Sequence, residues 1–153
     1  MQIYNRADIV NFLKVDNTYK RMVGFTDGGR TLNASTYDRR YIDEKIERSD
    51  VTGYSTEIAY AFDRIVDDDI HELLAKVHDE EQTGVEVEIL TVNFNDGSET
   101  DGYSAKLRTY TVIPDADGDS TDAYTYSGTF KASSEITAKT AKSTDSWKTA
   151  TVQ

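Results

Sequence analysis

Residues 54–94 read YSTEIAYAFDRIVDDDIHELLAKVHDEEQTGVEVEILTVNF, and their changing period sets the fold class. The first part alternates: Tyr54, Ile58, Tyr60 and Phe62 fall on one side, and Ser55, Glu57, Ala59 and Ala61 on the other. That is the pattern of a half-buried strand. Asp67, Asp68 and Asp69 then put negative charge where a helix N-terminus favours it. Ile70, Leu73, Leu74 and Val77 follow at helical spacing and make one apolar stripe, so a helix is predicted over 67–80, stopped by Gly84. After Gly84 the period returns to two: Val85, Val87 and Ile89 alternate with Glu86 and Glu88. The apolar set then shifts phase to Leu90, Val92 and Phe94, which predicts a bulge or a switch of covered face within one strand.

Working outward, Ala7–Val15 and Thr18–Phe25 flank an Asp16-Asn17 turn and suggest an N-terminal hairpin. Asp27-Gly28-Gly29 breaks the chain. Tyr103–Ile113 and Ala123–Phe130 flank the turn Pro114–Asp119 and form a second hairpin, and Ser133–Thr140 adds a last strand. The expected total is about seven strands and one flanking helix, a β-sandwich or partly closed barrel. One domain spans 1–142, and 143–153 is a polar C-terminal extension anchored by Trp147. Ten Tyr and five Phe against two Met and one Trp suit this β-rich class.

Residues 33–52, NASTYDRRYIDEKIERSDVT, fit no element. Their apolar positions keep no alternation, although a short helix over Ile42–Arg48 has surface charges to support it. A long internal loop at about 35–52 is therefore expected, and such loops are usually functional or disordered.

The chain has 153 residues and no cysteine, so it forms no disulfide and offers no thiolate nucleophile or ligand. No apolar run reaches the ~20 residues of a membrane span, and Met1–Lys14 lacks the pattern of a signal peptide. The net charge of −11 is concentrated in residues 53–102, with fourteen Asp/Glu against two Lys/Arg. A chain charged this way is not built to seek phosphate backbones.

Sites of chemistry are sparse. His71 and His78 lie seven apart on the helix, whereas a helical zinc pair needs i, i+4 spacing, so both are expected at the surface. Asp115, Asp117, Asp119 and Asp122 suggest a calcium loop, but Ser120 and Tyr126 stand where glycine and glutamate would be needed. Glu86 and Glu88 are simpler as a solvated face than as a glycosidase pair. No nucleophile elbow, phosphate-cradling loop or catalytic triad order stands out. The expectation is a protein that is not an enzyme and uses no cofactor or metal.

Two stretches together resemble the major tail tube protein family of long, non-contractile-tailed bacteriophages. The first is Tyr41-Ile42-Asp43-Glu44-Lys45, followed by Val51-Thr52-Gly53-Tyr54 running into a strand. The second is Asp119–Lys131, with its Tyr-Ser-Gly-Thr-Phe core at 126–130. The resemblance implies six subunits in a ring, rings stacked into a hollow tube, and phage DNA passing through the lumen without specific binding. It implies partners as well: further copies of the chain, a tape measure protein, a tail terminator and a distal tail protein, with no membrane. The location implied is the virion tail, after synthesis in the bacterial host cytoplasm.

The same resemblance makes the segment around 35–52 an inter-ring stacking loop, with Tyr37, Arg39, Arg40, Tyr41, Ile42, Asp43, Glu44, Lys45, Glu47, Arg48 and Asp50 as candidate contact residues. Sheet edges that pair between subunits would close a barrel around the lumen. Glu57, Glu86 and Glu88, on polar strand faces, are candidates to line that lumen and repel DNA within a Debye length of ~8 Å. The rival view turns them outward for solubility. Two other functions stand beside this one: a monomeric carbohydrate-binding module using Tyr124 and Tyr126, and a terminator or distal ring protein.

Overall fold

The computed structural model describes residues 1–118 and 120–153. A 3-10 turn at Arg6–Asp8 leads into twelve strands and one helix. In chain order these are β1 (Ile9–Val15), β2 (Thr18–Arg21), β3 (Phe25–Asp27), β4 (Arg30–Thr31), β5 (Ala34–Arg39), β6 (Arg48–Tyr54) and β7 (Glu57–Asp63). Then follow α1 (Asp69–Asp79), β8 (Glu86–Ser98), β9 (Gly102–Asp117), β10 (Thr125–Ala132), β11 (Thr137–Lys142) and β12 (Thr149–Val152). The mainly β class with one helix is as expected. The strand count is higher than the sequence suggested, because short pieces after each glycine break pair separately and the segment around 35–52 is itself paired.

The main sheet runs β11-β12-β2-β1-β8-β9-β10-β7-β3, and β11 also pairs with β9. That last pairing closes six strands into a barrel within one chain. Its wall continues past β9 into β10 and β7, where β3 and β4 cover the edge.

The phase shift in β8 now has its cause. Val87 and Ile89 belong to one core and Leu90 and Val92 to another. The ladder to β9 is unbroken through this point, so the strand changes covered face without a bulge. The neighbours change with it. In β1, Val10 and Phe12 join the second core and Leu13 and Val15 the first; in β9, Ala105 joins the second and Tyr110 and Val112 the first. Phe12 pairs with Leu90 and Leu13 with Ile89, so both strands switch at one register. Toward one end the strands fill the barrel around Phe12, Leu90, Val92 and Trp147. Toward the other they turn their apolar side outward, to the helix.

The helix meets that outer face with Ile70, Leu74, Ala75 and Val77, all buried, and with Leu73 partly buried. Asp68 caps it, its carboxylate accepting from the amides of Ile70 at 3.0 Å and His71 at 3.1 Å. It ends at Glu80–Glu81 rather than at Gly84. Glu81 takes the left-handed conformation, and the Gln82 amide reaches back to the Val77 carbonyl in a Schellman motif.

Both histidines are buried, against the expectation of surface positions. The Ile65 amide donates to His71 Nδ1 at 2.9 Å, so Nε2 carries the proton and donates to the Val23 carbonyl at 2.6 Å. His71 therefore ties the helix start to two loops. The Tyr60 hydroxyl shares a 2.8 Å hydrogen bond with His78 Nε2. Burial lowers the His78 pKa below its ordinary 6.5, against the opposing pull of Asp117, Asp79 and Asp115. The unfolded chain thus takes this proton at a higher pH than the folded one. Stability present above pH 6.5 is lost as the pH falls through the lowered value. Urea midpoints should fall between pH 7 and pH 5, and His78→Gln should flatten that part of the profile.

Aromatic stacking fixes the tyrosine-rich pair β7–β10. Tyr60 stacks on Phe130 at 4.4 Å between ring centroids, and Phe62 on Tyr126 at 5.3 Å. Tyr54 lies outside this set, because it ends β6 and is exposed. Tyr124, which keeps the phase of Tyr126 and Phe130, is also exposed. A Cβ on Gly128 would come within 2.5 Å of the Ile113 carbonyl oxygen and 2.6 Å of Tyr60 Oη. Gly128→Ala should cost about 1–3 kcal/mol in urea denaturation, the range for overpacking a filled site.

Pro114–Asp117 form the end of β9 rather than a turn. Ser127 faces Ala116 and Gly128 faces Pro114, so a bulge at Asp115 absorbs the proline. The expected turn residue Asp119 lies outside the described residues. Residues 143–153 do not extend from the domain: β12 pairs with both β11 and β2, and Trp147 is in the barrel core.

Candidate functional site

The segment expected to be a long loop is a two-stranded antiparallel hairpin, β5 against β6, forming its own sheet. The helix considered over Ile42–Arg48 is not formed. Almost every residue of the two strands is exposed, on both faces. At the base, Asn33 Nδ2 donates to the Ser55 carbonyl at 3.0 Å, and the Ser55 amide bonds the Leu32 and Asn33 carbonyls. Beyond this clasp the hairpin is an arm standing off the barrel.

The arm is ordered by its own side chains. On one face Arg39 pairs with Asp50, donates to Tyr41 Oη at 2.9 Å, and lies over the Tyr37 and Tyr41 rings at 5.3 and 5.5 Å. The Tyr41 hydroxyl first, and Asp50 second, push the Arg39 pKa further up. Arg48 grips Glu44 through two 2.8 Å hydrogen bonds and covers Tyr41 from another side at 5.7 Å. On the other face Ser49 donates to Asp38. The tip turns through a hydrogen bond from the Glu44 amide to the Tyr41 carbonyl. No ion pair of the described residues involves Arg40, Asp43, Lys45 or Glu47.

Exposed ion pairs contribute little to stability, and an isolated two-stranded hairpin is marginal in water. The arm also spreads apolar surface into solvent: Ile42 is fully exposed, Ile46 is 77% exposed, and Tyr37, Tyr41, Val51 and Tyr54 are each about half exposed or more. Exposed aliphatic and aromatic side chains on one projecting element make the arm a candidate contact surface.

The three candidate lumen acids share one side of the sheet. Ile58, Tyr60 and Phe62 of β7, and Val87 and Ile89 of β8, face the helix core, so Glu57, Glu86 and Glu88 face away from it. The register aligns Glu86, Thr111, Lys131 and Glu57 in one row across four strands. Ala59, Thr129 and Ile113 form another such row, so this face mixes charged and small side chains with one exposed aliphatic residue, Ile113. Glu88 is paired with Lys14 at 3.0 Å, and Lys131 flanks Glu57. Glu86 is the exposed member of the three.

No family profile and no curated relative matches the chain. Solved structures do. A chain in the virion of a native gene transfer agent particle superposes with a TM-score of 0.64 at 15% identity, covering 89% of this chain and 98% of that one. A chain in the tail of an empty gene transfer agent particle, refined with six-fold symmetry, gives 0.66 at 14% identity, covering 88% and 98%. A chain in a six-fold symmetrised baseplate of the anti-feeding prophage gives 0.53 at 9% identity, covering 90% and 96%. This chain has their fold over nearly its whole length.

Among the described residues no group of three or more His, Asp or Glu is placed to hold a metal ion. Among the described residues no helix is long and apolar enough to cross a membrane. Tyr126 is buried in the core, so Tyr124 and Tyr126 do not make an exposed aromatic strip for a sugar. The arm's paired strands escaped the sequence reading because both faces meet solvent, which removes the alternation that marks a strand. Thr36, Tyr37, Val51 and Thr52 carried the only signal, their β-propensity.

Proposed function

We propose that this chain is a non-enzymatic structural subunit of a phage-type tail, assembling with itself into six-membered rings that stack as the tail tube. The observation that carries this is the hairpin arm. An isolated molecule gains nothing by holding Ile42 and Ile46 in water on a projecting, self-paired hairpin. A molecule that seats the arm on the next copy buries them. The contact joins two different surfaces, so it propagates or closes a ring instead of ending at a dimer. The shared fold with chains of a six-fold tail supports the same reading.

In such a tube the face away from the helix suits the lumen. Its acids Glu57 and Glu86 outnumber Lys131 in their shared row, which leaves that row net repulsive to DNA. Glu88 adds less, because Lys14 offsets it. The closed barrel lies within one chain, so a barrel around the lumen would be a second one, closed by sheet edges that pair between subunits. A tape measure protein, a terminator and a distal tail protein are the partners such a tube requires. The likeness to a baseplate chain favours one second reading, a distal ring that does not extend.

Negative-stain electron microscopy of the concentrated protein, with and without tube fragments as seeds, separates the two. Stacked tubes support the tube subunit, and lone rings the distal ring. Persistent monomers under both conditions contradict self-assembly.

A further inference from the structure

On the outer face of the sheet the structure leaves an open groove. Two adjoining clefts of about 520 and 390 Å³ share Arg6, Ile9, Asn11, Gly28 and Ile58, and so form one continuous channel. Its accessible apolar lining is Ile9, Met22, Phe25 and Ile136, over the buried Ile58 and Ile89, while Asn11 and Thr91 add polar groups. Its walls hold Arg6, Arg21, Arg30, Lys106 and Arg108, five of the seventeen basic residues of a chain with net charge −11. Asp27 is the sole carboxylate among the lining residues.

Among the described residues none of these cations is ion-paired; the ion pairs engage Lys14, Lys20, Arg39, Arg48, Arg64 and His78. Arg6 and Arg108 bond only backbone carbonyls, of Ile9 and Ser134. A groove with patches of apolar lining and an excess of positive charge fits a segment that is both apolar and acidic.

We infer that this groove is the receptor for the arm tip, residues 41–47, of a second copy of the chain. The inference rests on the self-assembly reading and gives it an address. The tip presents Ile42 and Ile46, the two most exposed aliphatic side chains of the arm, with Asp43 and Glu47 against Lys45, while Glu44 is held by Arg48. The isoleucines pack on Ile9 and Ile136 in the groove, and Asp43 and Glu47 meet Arg30, Lys106 and Arg108 on its walls. The match is in both chemistry and sign. The opposite charges also steer encounter, so association weakens as salt rises. The arm springs from the end of β4, whose Arg30 lines the same groove, so each subunit carries its donor and its acceptor surface in adjoining parts of the fold.

The test is a charge swap in the full chain. Arg30→Glu with Lys106→Glu, and separately Asp43→Lys with Glu47→Lys, are all surface changes whose folding is checked by circular dichroism. Each pair alone should raise the concentration needed for seeded polymerisation at least ten-fold by sedimentation. The four changes together should restore it. Normal assembly of the groove variant, or no recovery in the combined one, overturns the groove assignment. If arm deletion still stops assembly in that case, the self-assembly reading stands. The chain has no cysteine, so a second measurement is direct. Ile42→Cys chains mixed with Ile136→Cys chains and a short bis-maleimide should give a mixed dimer, lost with Arg30→Glu and Lys106→Glu. Equal cross-linking in that background overturns the inference, and no polymer from the wild type under any seeding overturns the reading beneath it.

Discussion

Replacing residues 38–49 with a two-residue Asn-Gly turn should leave the monomer fold intact and abolish assembly completely. Tyr37 and Asp50 face each other in the ladder, so the shortened arm can close where a hairpin turn is geometrically acceptable. None of the removed side chains belongs to either core. Their ion pairs and cation–π contacts bind the arm to itself, not to the barrel. Melting should therefore move by no more than the ~0.5 kcal/mol typical of surface changes. The far-ultraviolet spectrum should lose only the contribution of one hairpin. Sedimentation should change from polymer to monomer, because the apolar tip is gone. The protein should also become more soluble, having lost Ile42 and Ile46. A variant that melts far below the wild type would show that the arm is part of the folding unit.

The opposite behaviour is expected at the C-terminus. Removing residues 143–153 should unfold the chain, and Trp147→Ala alone should cost about 3–5 kcal/mol, much of a typical total of 5–15 kcal/mol. β12 is the strand that bridges β11 and β2, so its loss opens the barrel. Trp147 packs against Phe94 at 5.0 Å, Tyr103 at 5.6 Å and Phe12 at 6.1 Å, and donates from Nε1 to Glu99 at 3.0 Å. A small turn holds it in place. Asp145 accepts from the Thr149 hydroxyl at 2.7 Å and from the Thr149 amide at 3.1 Å, and Ser143 Oγ accepts from the Trp147 amide at 3.0 Å. The bonds from Thr149, then that from Ser143, lower the Asp145 pKa to about 2. Its contribution is present above the ordinary carboxylate range and is lost as pH falls toward 2. Trp147 is the one tryptophan, so its fluorescence reports barrel opening directly.

The contrast between arm and tail also shows what the sequence could carry. The strand–helix–strand reading of residues 54–94 held because a helix and a half-buried strand each repeat a covered position. The phase shift at Ile89–Leu90 was legible for the same reason, and its meaning became clear only when β1 and β9 were seen to shift beside it. The arm has no covered face, so its strands left no period. The tail hid for another reason: Ala141 and Ala150 fill the barrel wall with side chains too small to stand out beside Trp147. The buried histidines were misplaced because spacing tests a metal site and says nothing about a lone imidazole bonded to backbone and tyrosine. The groove joins Arg6, Arg30, Lys106 and Arg108 from distant parts of the chain, which no local pattern brings together.

The most direct measurement is a cryo-electron microscopy reconstruction of the polymer, seeded if necessary. It should show six-fold rings in which residues 34–54 are ordered and Ile42 and Ile46 are buried on an adjacent copy. Rings held together with that hairpin free in solvent would contradict the account.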